Sequence, residues 1–403
     1  MITTGSAVKA VVRYRRPGPE CWDAVVTAAC GETSHTWDAA KAVAQAGPAV
    51  SPHADRIAEA LGERRGRGSE FASALAGVGD LRALPALRRL AADGHLPSYR
   101  IQVRVLAALP AAELLPTLRT VLRKDPPEYH ATVSVLELLA QWGPASAPAL
   151  PEVLPHLDGP YAYDALRVLG RIGPAAAGAA DLLADFATGR APRARRHHLR
   201  PAAWAHWRAT GDPGLALAVC GAAAGSGSAG HGLPFLAELG PAAAAHAGTV
   251  RGLMASPGAW TRVAAAHAYW RITGDPEPAV PVLLAEVDPE WTGLSALPTR
   301  EAVRHLGGIG APAAASAPLL RRILAAEERL SHPHEGVRIL ADEAYVRTLT
   351  EALARIGASA DGGPATALEP VPEPSAQPVP EPPPGARRGI PARWPGWRRA
   401  RTR

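Results

Sequence analysis

Between Gly47 and Gly357 the chain returns about every 34 residues to one short signal. An apolar helical stripe runs into Gly or Leu-Pro, and a Pro-marked restart follows. The turns fall at Gly47, Gly79, Pro110, Gly143, Gly173, Gly211, Gly240, Gly274, Gly310 and Gly357. Ala302–Leu324 (AVRHLGGIGAPAAASAPLLRRIL) shows the unit most clearly, with stripes at Val303, Leu306, Ile309 and at Leu319, Leu320, Ile323, Leu324. Gly just past a helix end takes the left-handed conformation without a Cβ clash, and Pro at the next helix start gives up an N–H that had no partner. Each unit therefore reads as a helix, a tight turn and an antiparallel partner helix. A unit this small cannot bury its apolar face alone, so consecutive units must stack.

Two units match closely. Trp207–Pro213 (WRATGDP) and Trp270–Pro276 (WRITGDP) differ at one position and lie 63 residues apart, two repeat lengths. Asp212 and Asp275 add a capping acceptor between Gly and Pro. Residues 1–36 read as an N-terminal arm or degenerate capping repeat, 37–358 as the array, and 359–403 as a Pro-rich linker with an Arg/Trp tail. Asp361–Pro384 is too poor in apolar residues to offset chain entropy and is expected to be disordered. Glu327–Gly336 (EERLSHPHEG) reads as a polar insertion before the last helix.

The pattern resembles the HEAT repeat family, in particular the short variety called phycobilisome-lyase HEAT-like repeats, on the turn anchors together with Leu166–Ala176 (LRVLGRIGPAA) and Ala354–Gly357 (ARIG). The resemblance implies an all-α, right-handed α-solenoid of about nine to ten hairpins. It also implies that the second helix of each hairpin lines the concave face, which would place Arg88, Arg89, Arg119, Arg123, Arg321 and Arg322 there.

Arginine dominates the charge. The 43 basic residues include only three lysines, Lys9, Lys41 and Lys124, and the net charge is +6. Arg-, Ala-, Gly- and Pro-rich usage of this kind looks like the habit of a GC-rich genome, so the basic pI alone names no partner. Two clusters remain as binding candidates. One is the connection Arg190–Arg200 with Arg193, Arg195, Arg196 and Arg200. The other is the tail, with Arg387, Arg388, Trp394, Trp397, Arg398 and Arg399, where Arg would meet phosphates or acidic surfaces and Trp would stack. Trp204, Trp207, Trp260 and Trp270 are read as core aromatics.

The odd cysteine count (Cys21, Cys30, Cys220) without C-x-x-C spacing argues against a disulfide framework or a Cys-based zinc site. No apolar run approaches the ~18 residues of a membrane span, and a soluble, cytoplasmic setting is expected. No nucleophile constellation, phosphate loop or paired metal-ligand spacing occurs, so no catalytic, cofactor or metal residue is assigned. Iron hydroxylases with HEAT-like folds use paired His-Glu dipeptides, whereas this chain has the single His334-Glu335. The HEAT-like alkylpurine DNA glycosylases and bilin lyases supply no motif that maps here residue by residue. The expected function is a non-enzymatic scaffold that binds a protein partner along its concave face. Nucleic-acid binding is the alternative, and a HEAT-like enzyme the second alternative.

Overall fold

Helical hairpins account for the described chain. The computed structural model describes residues 3–31, 35–63, 68–192, 194–226 and 229–358. By packing the chain divides into Met1–Glu369 and Pro370–Arg403, and all described residues belong to the first unit. The segment expected to be disordered, and with it Arg387, Arg388, Trp394, Trp397, Arg398 and Arg399, lies outside the described residues, as does Arg193.

The helices follow in turn-linked twos along the chain: α1 (Thr4–Arg13) with α2 (Pro19–Cys30), α3 (Thr36–Gln45) with α4 (Ala54–Glu63), and α5 (Gly68–Gly77) with α6 (Leu84–Ala92). Next come α7 (Arg100–Leu106) with α8 (Ala111–Leu122), α9 (Tyr129–Trp142) with the short α10 (Leu150–Val153), and α11 (Ala162–Ile172) with α12 (Ala180–Thr188). Then follow α13 (Arg196–Thr210) with α14 (Gly214–Ala224), α15 (Leu233–Leu239) with α16 (Ala247–Leu253), and α17 (Ala259–Thr273) with α18 (Ala279–Ala285). The series ends with α19 (Thr299–Ile309), α20 (Ala317–Leu324) and a long unpaired α21 (Arg338–Ala358). Among the described residues the only extended pairing is one isolated bridge, Tyr14 to Glu328.

The turn chemistry follows the sequence. Gly211 and Gly274 close their helices at φ 81° and 75°, and their amides bond back to Trp207 and Trp270. Asp212 Oδ1 then accepts from Gly214 N (2.9 Å), and Asp275 Oδ1 from Glu277 N (3.0 Å). Gly143, Gly173, Gly240 and Gly310 are followed instead by a 3₁₀ turn that buries the residue three positions on, Ser146, Ala176, Ala243 and Ala313. One anchor differs from expectation. Gly357 is no turn but lies inside α21, which continues to Ala358.

The odd-numbered helices form one layer, packing in series as α3–α5–α7–α9–α11–α13 and α15–α17–α19–α21. Small residues set their spacing. Gly170 lies directly under the Trp204 indole, and a Cβ on Gly307 would meet the Ala352 backbone at 2.6 Å. The even-numbered helices form the second layer.

The array also closes end to end, because α21 packs against α3 and α7 as well as α19. Asp342 (0% exposed side chain) holds the junction. It accepts from Arg15 (2.9 Å), Arg329 (3.1 Å) and the Leu330 amide (3.1 Å), and both arginine side chains are nearly fully enclosed. Backbone bonds run beside it, from Arg15 N to Glu327 O and from Arg329 N to Arg13 O, each 2.8 Å. The polar insertion therefore acts as a clasp. Its far end reaches α3 and α7, where Gln45 and Gln102 donate to the carbonyls of Glu335 and Gly336.

Two outcomes test this packing. Asp342→Ala leaves the enclosed Arg15 without a carboxylate and Arg329 with Glu343 alone, and should cost about 3–5 kcal/mol in denaturant unfolding. Gly307→Ala overpacks the α19–α21 contact and should cost about 1–3 kcal/mol. Gly308→Ala, one position on, meets only the Trp270 ring edge at 3.5 Å and should gain up to about 1 kcal/mol from helix propensity.

Candidate functional site

The arginines expected on an inner face lie on the second-helix layer. Arg88 pairs with Glu113 (2.7 Å), and Arg119 and Arg123 share Glu152. Arg89, Arg321 and Arg322 are exposed. The helices that meet across the array are first helices, since α21 packs against α3 and α7. Arg195 and Arg196 are exposed at the start of α13, and the Arg195 amide is capped by His198 Nδ1 (3.2 Å). Arg200 is half-buried on the same helix.

On the first-helix layer the charges fall into three stretches. In the first, Glu137 of α9 is 1% exposed and takes Arg104 (3.1 Å), Arg167 (3.1 Å) and Arg100 (3.4 Å). Burial alone would raise its pKa, but these three cations outweigh burial and hold it below the usual carboxylate range. Asp164 closes the set by accepting from Arg100 (2.9 Å). Three cations here share two carboxylates.

The second stretch spans α13, α15 and α17. Trp204 is 4% exposed and donates from Nε1 to Glu238 Oε2 (2.8 Å), with the Arg171 guanidinium 5.5 Å above its ring. Burial raises the Glu238 pKa despite Arg171, the Trp204 bond, Arg208 and Arg271. Arg208 lies over Trp207 and Arg271 over Trp270, each 5.9 Å from the ring centroid. The two matched sequence blocks thus build the same cation–π pair twice. Trp204 is core, as the sequence suggested, but Trp207 and Trp270 are only partly covered and carry arginines on their faces. Among the described residues neither Arg208 nor Arg271 makes a guanidinium ion pair or hydrogen bond, and Arg208 Nε is enclosed without a partner. The repeated Trp-Arg dipeptide was the signal for this pair. Glu238 had none, since it falls in an unremarkable short helix.

His267 and His305 continue this row, their rings stacked at 3.7 Å and 10°. Burial and the nearby Arg304 and Arg271 lower both pKa values, His305 adding to the drop at His267, and that of His305 falls to about 3. The third stretch lies where α7, α19 and α21 meet and holds Arg104, Arg300, Arg304 and Arg347. Arg304 bonds Glu301, whereas Arg300 Nε is enclosed with no partner.

No helix among the described residues is long and apolar enough to cross a membrane. No family model matches the chain, and no curated protein matches it. Solved structures to which it is similar include Kap121p bound to Nup53p, at 10% identity and a TM-score of 0.35, and Kap121p bound to Ste12p, at 11% identity and the same score. In both the match covers 85% of this chain and 46% of the other, so the chain spans less than half their length. At such scores the helical array stands on its own hydrogen bonding and packing.

The stacked histidines give a signed pH dependence. Both are neutral in the fold and take up protons on unfolding. Their contribution is complete above about pH 6.5 and is lost as pH falls toward their lowered folded values. Unfolding free energy should drop between pH 6.5 and 4. The double variant His267→Phe/His305→Phe should lose about two protons' worth of that slope, about 2.7 kcal/mol per pH unit at most, read from urea midpoints across the range.

Proposed function

We propose that the chain is a non-enzymatic binding scaffold whose first-helix layer receives an acidic segment of a protein partner. The supporting observation is the pair Trp207–Arg208 and Trp270–Arg271. Each offers a guanidinium with free donors, preset on an aromatic face, at equivalent places in two hairpins. A planar guanidinium takes a carboxylate in bidentate fashion, and holding it on a ring lowers the entropy lost when the bond forms. The partly covered indoles supply apolar area beside each charge, as protein recognition sites do. Arg88, Arg89, Arg195, Arg196, Arg200, Arg321 and Arg322 are proposed as secondary contacts for the remainder of such a partner, together with Arg193 and the tail residues Arg387, Arg388, Trp394, Trp397, Arg398 and Arg399.

The stretch around Glu137 favours a protein over a nucleic acid, because its cations are already spent on carboxylates. A polyanion tracking the layer would find an interrupted row of charges.

Fluorescence anisotropy with a Glu-rich peptide carrying one aromatic residue, and with mixed-sequence single- and double-stranded DNA, separates the two. The peptide should bind and lose about tenfold or more in affinity in Arg208→Glu/Arg271→Glu. Tighter binding of DNA, with a salt slope of several log units per log unit that the double variant flattens, would replace this reading with the nucleic-acid one.

A further inference from the structure

A cavity of about 310 Å³ lies where α3, α5 and the start of α7 meet the clasp. Two helices supply its polar walls. Lys41 and Ala44 stand three residues apart on α3, and Glu70 and Ser73 three apart on α5, so each pair shares one helix face. Leu96 and Tyr99, just before α7, add apolar area, and Gly336 forms the side that belongs to the clasp. That side is pinned. Gln102 donates to the Gly336 carbonyl (3.1 Å), and the Tyr99 ring lies 5.1 Å from that of His334. The charges in the cavity are uncommitted. Among the described residues the half-buried Glu70 carboxylate makes no ion pair or hydrogen bond, nor do the hydroxyls of Ser69 and Ser73. The Lys41 ammonium makes none either, and its contact is the Trp37 ring, 5.3 Å away.

We propose that this cavity binds a small zwitterion with an apolar body, an α-amino acid or a dipeptide, its ammonium toward Glu70 and its carboxylate toward Lys41. Two opposite charges that line one cavity without bonding each other suit a guest that carries both in the reverse order. A guest with a single charge would leave the other wall's group covered and unpaired, which weakens binding. The guest has to be short, because α3 and α5 pack directly and packed helix axes stand about 8–10 Å apart. The volume equals that of about ten waters, room for roughly ten heavy atoms, and lies at the small end of ligand sites. Ala44, Leu96 and Tyr99 would cover the apolar body, and the serine hydroxyls can turn toward either charge. Since one wall is the clasp, a bound guest touches segments from both ends of the array and stabilises their meeting. The cavity shares no residue with the Arg208 and Arg271 surface, and the zwitterion site does not depend on the peptide reading.

The test uses the full chain at pH 7 with L-leucine and glycyl-leucine as the zwitterions. Each is compared with its N-acetyl form, which lacks the ammonium, and its C-terminal amide, which lacks the carboxylate. Calorimetric titration and thermal unfolding read the response. At least one zwitterion should bind saturably and raise the unfolding temperature, and the tighter of the two tells amino acid from dipeptide. Each singly charged form should bind about tenfold more weakly than its parent. Glu70→Gln should weaken the zwitterion and its amide about tenfold and spare the N-acetyl form. Lys41→Gln should weaken the zwitterion and the N-acetyl form and spare the amide. A purely structural role for either residue would not give that crossed pattern. Ser73→Leu fills the cavity and should abolish binding. No saturable response to either zwitterion, a singly charged form that binds as tightly as its parent, or variants that weaken every form alike overturns the proposal. Should Glu70→Gln or Ser73→Leu not fold, undiminished zwitterion binding in Lys41→Gln, at an exposed position, overturns it.

Discussion

One buried carboxylate organises the molecule. Asp342, enclosed at the start of α21, joins Arg15 from the beginning of the chain to Arg329 from the insertion just before it. Repeat arrays ordinarily need only nearest-neighbour contacts, and each end then faces water. Here the ends face each other. An ion triad of this kind contributes little net stability against apolar alternatives, but removing one member is expensive because the others stay buried. Its use is to fix geometry: with the junction held, α21 is drawn against α3 and α7.

Everything about the first-helix layer follows from that placement. Arg104 and Arg300 are separated by most of the array in sequence, yet closure makes them electrostatic neighbours. Small residues make the layer thin enough for this. Gly170 gives Trp204 its seat and Gly307 lets α21 press on α19. The abundant alanine, which buries little area per residue, is what permits close helix approach along the whole row.

The hairpins were legible because their determinants are local. Gly211 and Gly274 take positive φ for the reason their neighbours Asp and Pro imply, and the two Trp-Arg blocks occupy equivalent places. Gly357 misled because a glycine after an apolar stripe marks a helix end only when the chain turns there. In α21 this glycine is still helical, one residue before the last described position. Which helices meet across the array was not legible, for a different reason. Which side of a hairpin faces inward depends on the curvature of the whole stack, to which no single repeat refers. The basic residues chosen by clustering include Arg195 and Arg196, exposed at the start of α13, whereas Arg271 and Arg300 stood out by no local density.

The sequence by itself determined the helices, their turns and the period, since these rest on capping, glycine conformation and apolar spacing within about 34 residues. It also carried the equivalence of Trp207–Arg208 and Trp270–Arg271. Only the tertiary structure decided that the ends meet, that Glu327–Gly336 is a clasp rather than a loose insertion, and which arginines keep a carboxylate. Those outcomes depend on charges brought together from 327 residues apart, as Arg15 and Asp342 are. Pairing at that separation is set by how every intervening layer rotates, a sum that no local stretch of residues encodes.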